Sequence, residues 1–121
     1  MKNTLLIVED DEMVILLMKH LFEKNYNVFT ASNGFEAMTH LTDGVIPDII
    51  ISDLMMEHVT GYEFIRKLYS TSQYSEIPVI VVSSSETGEL SREFPTLQFL
   101  NKPFDPVMLS NLVETRNRYK N

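Results

Sequence analysis

The stretch PDIIISDLMM, residues 47–56, decides the fold of this 121-residue chain. Its three consecutive isoleucines are typical of a strand that is buried on both faces, as central strands of parallel sheets are. A carboxylate, Asp53, follows this strand directly. Ligands and reacting groups collect at the carboxyl ends of the strands in open α/β sheets. Asp53 is therefore the first candidate site residue.

Four more short apolar runs, at residues 5–8, 26–30, 78–82 and 97–100, have the length and composition of strands. Segments with helical spacing separate them, and this alternation indicates βαβ units and a parallel sheet. Crossover connections are right-handed, which leaves few topologies. We predict one domain over residues 1–121 with an α/β, flavodoxin-like doubly wound fold. It has a five-stranded parallel sheet in the order 2-1-3-4-5 and five helices.

Apolar residues in the predicted helices recur at positions i, i+3 and i+4, which marks the side expected to face the core. In the first two helices these residues are Met13, Val14, Leu17, Met18 and Leu21, then Phe35, Ala37, Met38 and Leu41. Asp11 is expected to cap the first helix. Gly88 and Pro95 interrupt the fourth helical segment, which predicts a short or irregular fourth helix.

Composition excludes several classes of function. Seventeen acidic against ten basic residues give a net charge of −7, which argues against direct nucleic-acid binding. The chain has no cysteine, hence no disulfide, thiol nucleophile or cysteine metal site. The apolar run near the N-terminus ends at Glu9, too early for a signal peptide or a membrane span. We expect a cytoplasmic protein without membrane contact.

Several polar residues follow the predicted strands directly. Glu9 and Asp10 follow the first strand, Asp53 the third, Ser83 the fourth and Lys102 the fifth. The predicted strand order brings these positions to one edge of the sheet. Converging carboxylates repel each other unless positive charge lies between them, and one lysine is not enough. A hard divalent cation with oxygen ligands, Mg²⁺ above all, solves this problem.

These groups also suit phosphoryl transfer to a carboxylate. Asp53 would be the nucleophile that becomes an acyl phosphate. Asp10, Asp53 and a backbone carbonyl beyond Asp53 would hold Mg²⁺, with Glu9 acting directly or through water. Lys102 and the Ser83 hydroxyl would meet the phosphoryl oxygens, so that the protein mainly positions groups and neutralises charge.

Five motifs together carry a resemblance that spans essentially the whole chain. They are LIVEDD at residues 6–11, DIIISDLMM at 48–56, Gly61, PVIVVS at 78–83 and KPF at 102–104. In this order and spacing they resemble the response-regulator receiver domain of two-component signalling, which has the chemotaxis-type receiver fold.

The resemblance implies a role for each matching residue. Asp53 would be the phosphoacceptor, Glu9 and Asp10 the acidic pair, and the Met55 carbonyl a metal ligand. Lys102 would bind the phosphoryl group and precede a cis proline bond. The switch residues would be Ser83 and Phe99, although an aromatic residue on a short apolar strand is equally typical of a core position. Phosphorylation would then shift the population of conformations and change a partner-binding surface.

The loop beyond Asp53 departs from the family pattern. Glu57 stands where the family usually has proline, and His58 follows it. Glu57, His58 and Ser85 are therefore possible modulators of the site. The segment between Ser83 and the fifth strand also lacks the usual Gly-Ala pair, which leaves the output surface open.

The resemblance implies a phosphorylation-switched receiver that takes its phosphoryl group from a histidine kinase or a phosphotransfer protein. Such a protein is not an enzyme in the usual sense, because it catalyses only its own phosphorylation and dephosphorylation. Two other functions stay open: an aspartyl-phosphate phosphohydrolase, disfavoured because Met55 replaces the usual second aspartate, and a receiver-like interaction module. The downstream target is open, and a stand-alone receiver and part of a longer protein are both consistent with the sequence.

Overall fold

The computed structural model describes residues 2–56, 60–84 and 88–119. Five strands and five helices alternate along the described residues. They are β1 (Asn3–Val8), α1 (Glu12–Phe22), β2 (Tyr26–Ala31), α2 (Gly34–Thr42), β3 (Ile49–Ser52), α3 (Gly61–Ser70), β4 (Val79–Ser83), α4 (Gly88–Glu93), β5 (Gln98–Asn101) and α5 (Pro106–Tyr119). All neighbouring strands pair in parallel in the order β2-β1-β3-β4-β5. The predicted flavodoxin-like fold is confirmed.

Two apolar layers cover the sheet because side chains alternate between its faces. Ile50 belongs to the layer beneath α2, α3 and α4. Ile49 and Ile51 belong to the layer beneath α1 and α5. All three isoleucines are at most 1% exposed, so β3 is buried on both faces, as its composition predicts.

The helix boundaries follow from local capping. The Asp11 side chain accepts hydrogen bonds from the amides of Met13 and Val14, so it caps α1 as expected. Thr60 and Glu63 form a reciprocal capping box at the start of α3. The helix α4 has only six residues, which confirms a short fourth helix.

The apolar faces of α1 and α2 differ from the prediction. Met13 is 73% exposed, Leu17 40% and Phe35 66%, so the expectation that they face the core was wrong. The other predicted residues do face the core: Met18, Ala37 and Leu41 are buried, and Val14, Leu21 and Met38 pack against the core. Phe22 of α1 is buried as well, although the pattern did not include it. Residues 13–18 are all apolar, and so the helical period alone does not indicate which side of α1 faces the sheet.

Candidate functional site

The carboxyl ends of four strands bring the predicted site residues to one edge of the sheet. Glu9 follows β1, Asp53 follows β3, Ser83 ends β4, and Lys102 follows β5 by one residue. Glu9 and Ser83 are 1% exposed and Asp53 is 7% exposed. Polar side chains with so little exposure need polar partners, because burial without them costs several kcal/mol, roughly 2–7 on transfer scales.

Both carboxylate oxygens of Asp53 have such partners. Oδ1 accepts a hydrogen bond of 2.7 Å from the amide of Leu54 and a longer one of 3.5 Å from the amide of Met55. Oδ2 accepts one of 3.1 Å from Lys102 Nζ. The Asp53 amide donates to the Val8 carbonyl. Main-chain amides thus hold one oxygen of the side chain, and the ammonium group of Lys102 holds the other.

Glu9 and Lys102 form an ion pair, with 2.8 Å between Oε1 and Nζ. Burial raises the pKa of the Glu9 carboxyl, and the bonds from Lys102 and from the Asp11 amide offset this only in part. Burial alone would lower the pKa of Lys102, but the bonds to Glu9 and Asp53 outweigh it and raise this pKa. Lys102 is therefore a firmly charged ammonium group between two carboxylates.

Three carboxylates are close enough to share a metal ion. Ligand oxygens of Glu9, Asp10 and Asp53 all lie within 4.8 Å of one another, and Asp10 is the exposed member. Oxygen ligands of this kind suit Mg²⁺. The backbone carbonyl of Met55, two residues beyond Asp53, stays a predicted fourth ligand. The donor set therefore fits a hard divalent cation.

The main chain connects the two residues expected to meet a phosphoryl group. The Lys102 amide donates a hydrogen bond of 3.1 Å to the Ser83 carbonyl. The bond between Lys102 and Pro103 is cis, as the resemblance implied. Phe99 pairs with Val81 in the β4–β5 ladder, and its ring is partly buried against the layer beneath α2, α3 and α4. Its switch role and that of Ser83 stay predictions.

Two neighbours restrain the peptide unit between Asp53 and Leu54. The Ser52 hydroxyl donates a hydrogen bond of 2.8 Å to the Asp53 carbonyl. Gly61 approaches the same peptide so closely that a Cβ there would overlap this carbonyl oxygen and lie 2.6 Å from the Leu54 Cα. The Gly61 amide also donates to the Leu54 carbonyl at 3.0 Å. Ser52 is the last residue of β3, and the sequence pattern does not mark it as a site residue.

An apolar groove reaches the site from the side of α1. Its lining includes Val14 and Leu17 of α1 together with Ser84, Lys102 and Phe104. Met13 and Leu16 extend the apolar surface outward along the same helix, at 73% and 60% exposure. Its sequence signal was the uninterrupted apolar run at residues 13–18, which is longer than one core-facing stripe requires.

The three possible modulators, Glu57, His58 and Ser85, lie outside the described residues.

Solved structures of receiver domains match nearly the whole chain. The receiver domain of a signal transduction histidine kinase from Syntrophus aciditrophicus has 31% identity and a TM-score of 0.84, and the match covers 96% of this chain and 90% of that one. The chemotaxis response regulator CheY4 of Vibrio cholerae has 28% identity and a TM-score of 0.84, with 96% and 99% covered. Among the helices described, none has the length and apolar character needed to cross a membrane.

Curated relatives belong to the same signalling systems. The response regulator Rre1 of a Synechocystis strain is 33% identical over 115 residues, which cover 91% of this chain and 49% of Rre1. The chain spans about half or less of the length of Rre1 and several other relatives, some of them histidine kinases. The family model described as "Response regulator receiver domain" matches residues 5–114. The chain belongs to the response regulator receiver domain family of two-component systems.

Proposed function

We propose that Asp53 accepts a phosphoryl group from a histidine kinase or phosphotransfer protein in a Mg²⁺-dependent reaction. The observation that carries this proposal is the hydrogen bond from Lys102 to Asp53 inside the cluster of Glu9, Asp10 and Asp53. A nucleophilic carboxylate needs a nearby charge that neutralises the incoming phosphoryl oxygens, and Lys102 is in that position. A cytoplasmic location and a single domain over residues 1–121 are part of the proposal.

The transfer step is a displacement at phosphorus. A carboxylate oxygen of Asp53 forms a bond to phosphorus while the bond to the donor's imidazole nitrogen breaks, and the electron pair stays on that nitrogen, which takes up a proton. Lys102 balances the charge on the transferred group, and the Ser83 hydroxyl would donate a hydrogen bond to one of its oxygens. Little else is required, because positioning and electrostatics dominate phosphoryl transfer.

Glu9, Asp10 and Asp53 would hold the metal ion, with the Met55 carbonyl as a further ligand. When bound, Mg²⁺ supplies positive charge beside the phosphoryl oxygens and removes the repulsion among the carboxylates. The Leu54 amide already holds Oδ1 of Asp53 by a hydrogen bond, so the carboxylate would meet the phosphorus in a fixed orientation.

Phosphorylation would change the protein through β4 and β5. The acyl phosphate carries roughly −1.5 to −2 charge in place of the single negative charge of the carboxylate, and it brings strong acceptor oxygens. Ser83, at the end of β4, would be drawn toward them. Phe99 lies on the neighbouring strand and would turn into the space that this movement frees. The surface around α4, β5 and α5 would then bind a partner differently.

The apolar groove beside α1 is where the phosphodonor protein would dock. Its donor histidine has to reach Asp53, and the groove ends at Lys102, which bonds Asp53 directly. Exposed apolar surface next to a reactive polar group is typical of a protein-binding site. Leu17 and Met13 would supply the contact area. Both side chains are uncharged, so this contact would not alter the electrostatics of the site.

The test is phosphorylation by acetyl phosphate with Mg²⁺, followed by mass spectrometry of the intact protein and its peptides. We expect one phosphoryl group on Asp53, and none after Asp53→Asn. Asp43→Asn is the matched control, because Asp43 is an exposed residue at the end of α2. Phosphate elsewhere, or none from acetyl phosphate or a histidine kinase, would overturn the proposal. Sustained turnover of phosphoesters would indicate a phosphohydrolase instead.

A further inference from the structure

Ser52 is a fully buried hydroxyl among apolar neighbours, with 0% of its surface exposed. It pairs with Val8 on one side and Val81 on the other, and three isoleucines precede it. A buried hydroxyl in such surroundings costs free energy unless it forms a hydrogen bond. Its bond goes to the carbonyl of Asp53, at 2.8 Å. That carbonyl belongs to the phosphoacceptor itself.

The Asp53 carbonyl and the Leu54 amide belong to the same peptide unit, which is planar and turns as one body. The hydrogen bond from Ser52 restrains the carbonyl end of this plane. At its other end the Leu54 amide donates 2.7 Å to Oδ1 of Asp53. A rotation of the plane that broke the Ser52 bond would also turn the Leu54 N–H away from Oδ1.

Gly61 limits the same plane from the side of α3. The contact with the Asp53 carbonyl leaves no room for a Cβ at Gly61, and the Gly61 amide binds the next carbonyl, that of Leu54. The plane is thus bounded by the start of α3 and also hydrogen-bonded to Ser52. Of the two restraints, only the Ser52 hydroxyl can be removed without a change in packing volume larger than one oxygen atom.

We propose that Ser52 is a positioning residue for phosphorylation: its hydroxyl orients the Asp53 carboxylate through the intervening peptide. The inference rests on the proposed role of Asp53 as phosphoacceptor. Ser52 itself contacts neither donor nor phosphoryl group. It holds Oδ1 against the main chain, so that Oδ2 faces Lys102 and the carboxylate keeps one orientation. Misplacement of a reacting group by about 1 Å can slow a reaction roughly a hundredfold, and a partly released carboxylate should lose less.

The experiment compares Ser52→Ala with the wild-type protein in two measurements. The first is hydrogen exchange at the Leu54 amide, followed by NMR without any phosphodonor. The second is the initial rate of phosphorylation by acetyl phosphate with Mg²⁺. We expect about tenfold faster exchange at Leu54 and about tenfold slower phosphorylation. Ser52→Thr keeps the hydroxyl and should restore both values toward the wild type.

Ser70→Ala is the matched control, because its hydroxyl also donates to a carbonyl, that of Lys67, at the far end of α3. It should change neither measurement. Unchanged Leu54 exchange or an unchanged phosphorylation rate in Ser52→Ala would overturn the inference, as would slow phosphorylation in Ser52→Thr with a normal melting curve. A wild-type protein that takes up no phosphate would refute the proposed function and with it a role of Ser52 in phosphorylation, whereas normal uptake by both proteins would overturn the inference alone.

Discussion

Lys102 Nζ lies 2.8 Å from Glu9 Oε1, so a buried carboxylate is paired with the same ammonium group that bonds Asp53. Lys102 therefore forms ion pairs with two carboxylates, and neither of these pairs involves the nearby Asp10. The site carries more negative than positive charge among these residues. Added positive charge should consequently stabilise the folded protein.

Mg²⁺ should raise the melting temperature in a saturable way if, as we propose, it binds the cluster of Glu9, Asp10 and Asp53 in the folded protein. At a hundred times its dissociation constant, an ion that binds only the folded state adds about 2.7 kcal/mol to the free energy of unfolding. Asp10→Asn should lose most of this effect in a thermal melt with increasing MgCl₂. Asp11→Asn is the matched control, since asparagine also caps a helix. Equal responses of the two variants would contradict the predicted site.

Gly61→Ala should destabilise the protein by roughly 1–3 kcal/mol, the usual cost of overpacking. The new Cβ would overlap the Asp53 carbonyl, so the start of α3 or the main chain at Asp53 must shift. Urea denaturation measures the change. Gly88→Ala is the control, because the nearest atom to its Cβ is the end of the Arg92 side chain at 3.4 Å. A Gly61→Ala protein as stable as Gly88→Ala would show that the close contact is not maintained.

Leu17→Asp should lower the rate of transfer from a phosphohistidine protein about tenfold and leave the rate with acetyl phosphate unchanged. The reason is that Leu17 lines the groove that leads to Lys102, and loss of a central apolar contact commonly costs more than 1 kcal/mol in binding. Ile46→Asp is the matched control, since Ile46 is 72% exposed and lines a different cavity beside β2. Equal rates of protein-to-protein transfer in both variants would place the donor elsewhere.

Stability should fall between pH 10 and 12 because of Tyr26. Burial, together with the Glu114 carboxylate beside its hydroxyl, raises the pKa of Tyr26 to about 12. In the unfolded chain this pKa is about 10. The contribution is therefore complete below pH 10 and is lost as the pH rises toward 12. In urea denaturation at several pH values, Tyr26→Phe should remove about 1–2 kcal/mol of this alkaline loss. Parallel pH curves for the two proteins would contradict it.

The short helix α4 should open more readily once its link to α3 is cut. The Arg66 guanidinium donates to both carboxylate oxygens of Glu93, at 3.0 to 3.3 Å. Its central carbon also lies over the Tyr62 ring, 5.8 Å from the ring centroid. A six-residue helix has little stability of its own. Arg66→Gln should therefore speed amide exchange at Glu93 and at Phe94, whose amide donates to the Leu90 carbonyl, with little change in melting temperature.

Lys67→Gln removes the same charge from an exposed neighbouring position on α3 and should leave exchange in α4 as it is. If both variants behave alike, net charge rather than the Arg66–Glu93 pair governs α4. Hydrogen exchange followed by mass spectrometry, with peptides that separate β4 from α4, distinguishes the two.

The strand pattern and the convergence at the sheet edge were predictable because they follow from rules about parallel sheets. Isoleucine runs mark central strands, and residues after such strands meet at one edge. The exposure of Met13 and Leu17 and the burial of Phe22 were not predictable in this way. An all-apolar run has no polar side to indicate its orientation, and only packing against α5 and the sheet selects one.

Finer parts of the site depend on distances of a few tenths of an ångström. The sequence shows that Lys102 and Glu9 approach the same edge, but their ion pair depends on side-chain conformations that no pattern encodes. Ser52 had one detectable signal, a hydroxyl that ends an otherwise apolar strand. The partner of this hydroxyl, the carbonyl of the next residue, depends on the local backbone conformation, which only the structure shows.

The hydrogen bond from the Lys102 amide to the Ser83 carbonyl has a consequence for how the site tolerates substitution. Both residues would contact the phosphoryl group through their side chains, but this bond joins their main chains and so does not depend on either side chain. A substitution at one position therefore leaves the main-chain spacing of the two residues in place. Either side chain can change alone, and the cost should fall on the phosphoryl contact rather than on the fold.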